Sequence, residues 1–515
     1  MAAAMGHGVP SAKKMPVSVE SCLAESAATP YNGNRCKIFM KDAGPCMAFS
    51  SVQFLFVFLP LTLAVYYLLP RFARNAVLCL FSLVFFAWSG LRGAALLVGL
   101  AALNWLGGLA LKRIPAKKVL LTLLILADLG VLAVFKYAGF AAESVNALFP
   151  GLLPVLSPAL PLGISFYIFT AIGYCIDVAA GHVQPARSPL RFFVFLAFFG
   201  HGPSGPIVRY GQQAPMLDPR AEPRRVTADR FCYGIKRFIF GLSKKALIAD
   251  QIALIYQRVT SVPADTVPAP MLVLGYVAYM LQLYFDFSGY SDMAIGIGCF
   301  FGLDLPENFD YPYLAKSVGE YWRRWHISLS SWFRDYLYFP LGGSHCSTLC
   351  TCRNLVIVFL LTGLWHGAAW QYVVFGLLHG LLLCLERLGL RRLLEKLPGA
   401  VQHLYTVVVL WLTLIIFGAP GLGQGLGALS GIFHWQSGAP GYTLAAFTDT
   451  KLLLLLAAAV ILCGPLQALF PRLKEALYSR ETPGLPMMAG LLVLFFFSLM
   501  RVTAGTYSAF IYFQF

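Results

Sequence analysis

Long apolar runs, separated by short polar segments, dominate the chain. Two of the clearest are VQFLFVFLPLTLAVYYLLP at 52–70 and KLLLLLAAAVILCGPLQALF at 451–470. A helix that crosses a bilayer needs about 20 predominantly apolar residues, and both runs reach that length. The apolar positions are continuous rather than alternating, which predicts helices and argues against a membrane β-barrel.

The same pattern recurs to the end of the chain. It predicts helices near 51–70, 75–90, 92–111, 119–137, 231–256, 270–301, 355–385, 404–418, 451–470 and 486–500, with less regular segments near 160–179 and 189–200. We therefore expect an all-α polytopic membrane protein with roughly ten to twelve spans or half-spans plus interfacial helices.

Composition and charge refine this expectation. The 515 residues are 58% hydrophobic and 12% charged, and the formal net charge is +16. In a membrane protein, an excess of basic residues indicates the topology. We therefore expect membrane lipid as a partner and no nucleic acid. The basic clusters RFAR at 71–74 and KRIPAKK at 112–118 are predicted to face the cytoplasm.

The 12 cysteines are scattered, and several lie inside apolar runs, which favours packing over a disulfide framework. His345 stands near Cys346, Cys350 and Cys352, so a soft-metal site is conceivable there. The spacing matches no zinc pattern, and the interpretation we favour is an exposed loop with no metal.

Residues 1–46 differ from the rest, being mixed in polarity and without the apolar stretch of a signal peptide. We expect this segment to be disordered or to come from an overlong start assignment, and 47–515 to form a single transmembrane domain.

Three histidines stand in or beside apolar segments: His326 in WRRWHISLS, His366 in GLWHGAAW and His379 in FGLLHG. An ionisable group at membrane depth is costly and is a functional candidate by default. Each could instead only hydrogen-bond a neighbouring helix, and this is the role that we favour for His379. On one straight helix His366 and His379 would be about 20 Å apart, so they can share a site only if Gly367 or Gly376 marks a break.

Other polar groups interrupt apolar surroundings. LYFDFSGYSDMAIGIG at 283–298 carries Asp286 and Tyr290, and FFGHGPSGPIVRY at 198–210 is a Gly/Pro break. Broken helices at membrane depth are tolerated where they line a cavity or pack inside protein, so a polar tunnel is expected. The segment 306–343 combines charge with many aromatic residues, which suits an amphipathic interfacial helix or one buried among other helices.

The chain lacks P-loop, GxSxG, HExxH and GxGxxG motifs, which argues against ATPase, hydrolase, zinc-protease and dinucleotide-binding functions. The segments YFDFSGYSDMAIGIG, PENFDYPYLAKSVGEYWRRWHISLSSWFRDYLYFPLGG, RNLVIVFLLTGLWHGAAWQYVVFGLLHG and GLSKKALIADQI resemble the membrane-bound O-acyltransferase family, most like its bacterial alginate O-acetyltransferase branch.

The resemblance implies a helical bundle with a central tunnel and a multi-pass location in the bacterial inner membrane. It implies acetyl transfer from a cytoplasmic thioester such as acetyl-CoA, used as a substrate without a permanently bound cofactor. The hydroxyls of an extracellular polysaccharide such as alginate would accept the group, with a periplasmic acetyltransferase as partner.

In the family's motifs, His366 takes the catalytic position and His326 the second histidine position. A neutral, desolvated His366 would act as general base, and His326 would orient the acceptor or stabilise the oxyanion. The other candidate substrate-binding residues are Arg323, Arg324, Trp325, Ser328, Tyr290, Asp286, Trp365 and His379.

Arg323 and Arg324 could pair with donor phosphates or simply reach the interface. Two other classes of protein remain open, a transporter or flippase and a scaffold subunit of an exopolysaccharide export machine. Of these three classes, only the acetyltransferase would consume acetyl-CoA.

Overall fold

The computed structural model describes residues 47–156, 158–504 and 510, apart from the side chain of Pro223. The expectation for residues 1–46 lies outside the described residues. Within them, the regular structure is helical, and the strand-like pairing is one isolated antiparallel bridge between Phe309 and Trp325.

The first group of α-helices comprises α1 Leu59–Leu68, α2 Arg74–Ser89, α3 Leu91–Arg113, α4 Lys117–Leu132, α5 Ala138–Leu148, α6 Ile164–Ala180 and α7 Pro189–Ala197. The middle group comprises α8 Tyr210–Gln213, α9 Ala228–Ser243, α10 Asp250–Thr260, α11 Ala269–Phe300, α12 Val318–Arg324, α13 Ile327–Phe333, α14 Thr348–His366 and α15 Trp370–Leu385. The last group comprises α16 Arg391–Leu394, α17 Gly399–Gly418, α18 Leu422–Phe433, α19 Leu444–Phe447, α20 Thr450–Leu462, α21 Pro465–Leu469, α22 Pro471–Tyr478 and α23 Leu485–Thr503.

Short π-helical turns continue or precede several of these helices, at Phe54–Phe58, Ala133–Tyr137, Lys244–Ala249, Arg334–Tyr338 and Glu386–Leu390. Single 3₁₀ turns lie at Arg71–Ala73, Ala214–Met216, Glu222–Arg224, Ala264–Thr266 and Pro312–Leu314.

Eight described helical segments are long and apolar enough to cross a membrane: Arg71–Ser89, Leu91–Arg113, Lys117–Leu148, Ala269–Phe300, Thr348–His366, Trp370–Leu394, Gly399–Gly418 and Leu485–Thr503. Four shorter apolar helices accompany them, at Phe54–Leu68, Ile164–Ala180, Leu422–Phe433 and Thr450–Leu462. The prediction of a polytopic helical membrane protein is confirmed, and the sum of long and short apolar helices agrees with the expected number. The tunnel stays a prediction.

Two local predictions need correction. The segment near 160–179 is a regular helix, because the irregular backbone ends at Gly163, whose φ of 72° is left-handed. The run 451–470 is two helices, because Gly464 has a φ of 159° and Pro465 cannot continue α20. The run 355–385, in which a break at Gly367 or Gly376 was left open, is divided after His366.

The core lies around α11, whose most apolar stretch is 83% buried. Helix α9 packs against it in the antiparallel sense through two glycine pairs. A Cβ on Gly241 would lie 2.4 Å from the Gly289 carbonyl oxygen, and one on Gly296 would lie 2.5 Å from that of Gly234. Small residues let two helix backbones approach closely in a membrane, so these pairs explain the tight packing.

Candidate active site

His366 is the last residue of α14, and α15 begins at Trp370. The two helices form a tight hairpin, because a Cβ on Gly376 would lie 2.3 Å from the Phe359 carbonyl oxygen and 3.0 Å from Gly363 Cα. The helix break that the histidine spacing required is therefore present, directly after His366. A buried imidazole stands at this helix end.

The end of α14 is capped from the π-helical turn at Ala133–Tyr137. The Tyr137 hydroxyl donates to the Leu364 carbonyl at 2.7 Å, and Lys136 Nζ donates to the Trp365 carbonyl. The last four carbonyls of a helix have no partner within the helix, and this turn satisfies two of them. Sequence analysis missed Lys136. A lysine at the end of a long apolar run is the kind of intramembrane charge that marks a candidate site.

His326 lies between α12 and α13 in a left-handed conformation, with φ 45° and ψ 53°. Such a φ is uncommon for a residue other than glycine, and it persists only where the surroundings fix it. Here Ile327 N–H donates to the Asn308 carbonyl at 3.0 Å, next to the bridge between Phe309 and Trp325. The short pairing turns the His326 side chain into the core, where it is fully buried.

Asn308 connects this backbone to the imidazole. Its Oδ1 accepts from Ser328 N–H at 3.1 Å and from the Ser328 hydroxyl at 2.9 Å, and it lies 3.2 Å from His326 Nδ1. The Ser328 hydroxyl itself accepts from Ile207 N–H at 3.0 Å. Sequence analysis missed Asn308, because its only local signal was an amide side chain between Glu307 and Phe309.

The environment of His326 disfavours its charged form. Burial lowers the pKa of the His326 imidazole well below its ordinary value, and the neighbouring His366 adds to the effect. His326 lies outside the eight candidate spans and is neutral at physiological pH on this account.

Trp365 joins the two histidines. Its ring centroid lies 5.7 Å from that of His326 and 5.2 Å from that of His366, so the two imidazole centroids are at most about 11 Å apart. This separation is within the roughly 12 Å that one acyl-transfer centre with bridging waters could span.

Aromatic side chains surround the pair. Phe287 lies 4.7 Å from His326, Phe166 5.3 Å from Trp365 and Phe417 5.2 Å from His366, measured between ring centroids. Trp365 is buried, and its Nε1–H has no hydrogen-bond partner among the described residues. A buried donor without a partner is rare and calls for an explanation, such as a ligand that accepts from it.

His379 has a different environment. The Trp322 indole N–H donates to its Nδ1 at 3.1 Å, and its Nε2 lies 3.0 Å from the Thr413 hydroxyl. Because both ring nitrogens are hydrogen-bonded to side chains of the core, this geometry favours the packing role that the sequence left open.

Two charged candidates are held in ion pairs. Arg324 lies 2.8 Å from Glu320 and 3.5 Å from Asp310, while Arg323 is exposed. Asp286 lies 2.9 Å from Lys245 Nζ in the buried core. These contacts favour structural roles for Arg324 and Asp286 over direct contact with substrate.

The other aromatic candidates pack against rings. Tyr290 stacks between Phe49, at 4.6 Å, and Phe510, at 4.5 Å. Trp325 is buried and stacks on Tyr321 at 5.5 Å. The segment 306–343 thus corresponds to the buried alternative, because most of its aromatic side chains up to Phe333 are buried, whereas Phe339 is exposed.

The expected exposed loop at 345–352 needs correction. The Ser347 side chain accepts from Cys350 N–H and caps α14, which begins at Thr348, so Cys350 and Cys352 lie in the first two turns of a helix. Among the described residues, no group of three or more His, Cys, Asp or Glu side chains could hold a metal ion.

Comparison with known proteins assigns this architecture. The model of the membrane-bound O-acyltransferase (MBOAT) family matches residues 164–418, which include His326 and His366. The chain belongs to the MBOAT family. It is a multi-pass membrane acyltransferase, as the resemblance implied, and enzymes of this family need no permanent cofactor.

Three relatives illustrate the range of the similarity. The chain is 37% identical to "Probable alginate O-acetylase AlgI" of Azotobacter vinelandii, over 91% of this chain and 100% of the relative. It is 33% identical to the "Peptidoglycan O-acetyltransferase" of Helicobacter pylori, over 75% and 80% respectively. It is 30% identical to the "Teichoic acid D-alanyltransferase" of Bacillus subtilis, over 48% and 67%.

Proposed function

We propose that this MBOAT protein transfers an acetyl group from a cytoplasmic thioester, such as acetyl-CoA, toward hydroxyls of an extracytoplasmic polysaccharide such as alginate. The observation that carries the proposal is the pair of buried imidazoles, His326 and His366, bridged by Trp365 within about 11 Å. The names of the relatives support acyl transfer to a cell-surface polymer. The full-length similarity to an alginate O-acetylase favours an acetyl group as the group transferred and alginate as the acceptor polymer.

The residues suit the chemistry of this transfer. His366 accepts the proton of the acceptor hydroxyl while the oxygen of that hydroxyl attacks the thioester carbonyl. The C–O bond forms, the C–S bond breaks, and the imidazolium returns the proton to the leaving thiolate. The products are an acetyl ester and a free thiol, so atoms and charge balance without a resident cofactor.

The tetrahedral intermediate carries a negative oxygen that needs donors in a dry site. The Trp365 indole N–H, buried beside both imidazoles, is the donor that we assign to this oxygen. His326 then holds the acceptor. Arg323, exposed at the end of α12, is the more accessible of the two arginines for a donor phosphate.

We place the enzyme in the bacterial inner membrane, with its donor on the cytoplasmic side and its acceptor beyond it. A periplasmic acetyltransferase that takes the acetyl group on to the polymer is the expected partner protein. The bacterial relatives support this location.

Acetyl-CoA consumption by membranes carrying the protein tests the proposal. His366→Ala should lower it by about a hundredfold or more, the range expected when a general base is lost. His434→Ala, on the exposed end of α18, is the matched control and should retain full turnover. Wild-type turnover in His366→Ala at equal protein level would remove His366 from the mechanism, and a transporter or scaffold would consume no acetyl-CoA in either protein.

A further inference from the structure

We infer that Asn308 is a positioning residue that fixes His326 as the Nδ1–H tautomer, so that Nε2 serves the acceptor substrate as a hydrogen-bond acceptor. The tautomer of His326 follows from hydrogen-bond geometry, whereas its role toward the acceptor substrate rests on the proposed function.

The first step identifies which atom of Asn308 faces His326. A backbone N–H can only donate, and Ser328 N–H approaches one terminal atom of Asn308 at 3.1 Å. That atom is therefore the carbonyl oxygen, Oδ1. The opposite terminal atom, Nδ2, lies 3.3 Å from the Ser291 hydroxyl, a suitable acceptor for an amide N–H. Both ends of the amide agree on one orientation.

The second step assigns the imidazole proton. His326 Nδ1 lies 3.2 Å from Asn308 Oδ1. An oxygen of this kind has no hydrogen to give, so Nδ1 must be the donor. A neutral imidazole carries one N–H, and the partner of one nitrogen decides the state of the other. Nε2 therefore carries the lone pair.

The third step concerns how firmly this arrangement is held. Asn308 is fully buried, and its Oδ1 also receives the Ser328 hydroxyl, which is itself fixed by Ile207 N–H. The backbone pairing of Ile327 with Asn308 and the left-handed φ of His326 set the distance between the two side chains. Rotation of the amide would place an N–H against the Ser328 N–H and is thereby disfavoured.

The tautomer of His326 determines which group of the substrate this residue can bind in the proposed site. A lone pair at Nε2 binds an O–H group, such as a second hydroxyl of a sugar acceptor, and repels a carbonyl oxygen. Neutral His326 consequently holds the acceptor and does not stabilise the oxyanion. This narrows the two roles that the sequence left open for His326 to one.

Nitrogen-15 magnetic resonance of histidine-labelled protein in bilayers tests the assignment, with His326→Gln identifying the His326 signals. We expect a protonated Nδ1 and an unprotonated Nε2. In Asn308→Ala the preference should be lost, whereas Ser291→Ala, which removes only the partner of Nδ2, should keep it. A protonated Nε2 in the wild-type protein, or an unchanged Nδ1–H in Asn308→Ala, overturns the inference.

Kinetics separate this outcome from the fate of the proposed function. Asn308→Ala should lower acetyl transfer between about ten- and a hundredfold, the range typical for loss of a group that orients a histidine. In the His326→Gln background the same change should add nothing, because the two residues act as one unit. Full additivity would show a merely structural role. Normal turnover in His326→Gln, with the expected spectra, would refute the function of His326 but leave the tautomer standing.

Discussion

Two buried nitrogen-bearing rings in this bundle have opposite hydrogen-bond environments. His379 has partners at both ring nitrogens, Trp322 and Thr413. Trp365 is equally enclosed, yet its indole N–H meets no acceptor among the described residues. An unsatisfied buried donor costs free energy, and an acceptor atom of a bound substrate would offset that cost.

Trp365→Phe isolates that N–H, because it keeps an aromatic ring between the two imidazoles. We expect acetyl transfer to fall by about a hundred- to a thousandfold, as for loss of one oxyanion donor. The melting temperature should be unchanged or higher, since the variant removes an unsatisfied buried polar group. Turnover and thermal unfolding of the purified protein check both, and wild-type turnover in Trp365→Phe would exclude the indole N–H from the mechanism.

His379→Leu should show the converse behaviour. The change leaves the Trp322 N–H without its acceptor and removes one of the two hydrogen bonds of the Thr413 hydroxyl, which keeps the Leu410 carbonyl. We expect a cost of about 1 to 3 kcal/mol in the free energy of unfolding. Turnover per folded molecule should stay near wild type, because the hydrogen bonds of His379 hold the core. Thermal unfolding in detergent and turnover normalised to folded protein measure the two effects. A stable His379→Leu protein without turnover would place His379 in the catalytic site.

Both candidate catalytic histidines lie at helix ends. His366 terminates α14, and His326 immediately precedes α13. Val318 and Gly319 N–H groups at the start of α12 donate to the buried Glu386 carboxylate, at 2.7 Å and 3.0 Å. The short helix before His326 is thus fixed to the α15 side of the bundle, and the positions of both imidazoles depend on how α14 and α15 pack.

Gly376→Ala tests that dependence. Its Cβ would lie 2.3 Å from the Phe359 carbonyl oxygen, so α14 and α15 would have to separate. Overpacking of this kind costs about 1 to 3 kcal/mol. A displacement of about 1 Å can cost on the order of a hundredfold in rate, so we expect acetyl transfer to fall to a similar extent while the protein still inserts.

Gly99→Ala in α3 is the control for the change in helix propensity, because nothing lies within 4 Å of its added Cβ. It should leave turnover unchanged. Equal turnover in Gly376→Ala and wild type would show that the site tolerates separation of the hairpin.

At the scale of the whole molecule, the order of the spans follows from hydrophobic periodicity, and sequence reasoning obtained it almost completely. The predicted helix bounds were wrong where a single glycine ends an irregular segment, as at Gly163, or breaks an apolar run, as at Gly464. A single φ angle decides such breaks, and a mean over about 20 residues does not detect it.

The site was predicted in part, and for a related reason. His326 and His366 were identifiable because an imidazole in an apolar run is costly. Asn308 was not, because its importance lies in a contact to a residue 18 positions away, which no local pattern specifies. Lys136 carried the same signal as the histidines, a charge in an apolar run, but its contact to a residue 229 positions away could not be predicted. Only the packed bundle brings such groups together.

The whole molecule also determines from which side the donor can reach the site, and the basic clusters predict this side. Helices α2 and α3 are joined at Gly90, so residues 71–74 and 112–118 lie at the same ends of neighbouring spans. The excess of Lys and Arg there predicts a cytoplasmic location. Coenzyme A thioesters occur on that side, so the reverse orientation would separate the proposed donor from the enzyme.

Cysteine labelling in intact cells measures the orientation. In a chain whose native cysteines have been replaced, Arg74→Cys and Lys117→Cys should resist a membrane-impermeant thiol reagent until the cells are opened. Arg92→Cys, exposed beside the Gly90 turn at the other end of α3, should react at once and provides the matched control. Immediate reaction at residue 74 or 117, with protection at residue 92, would invert the topology and require a donor from the periplasmic side.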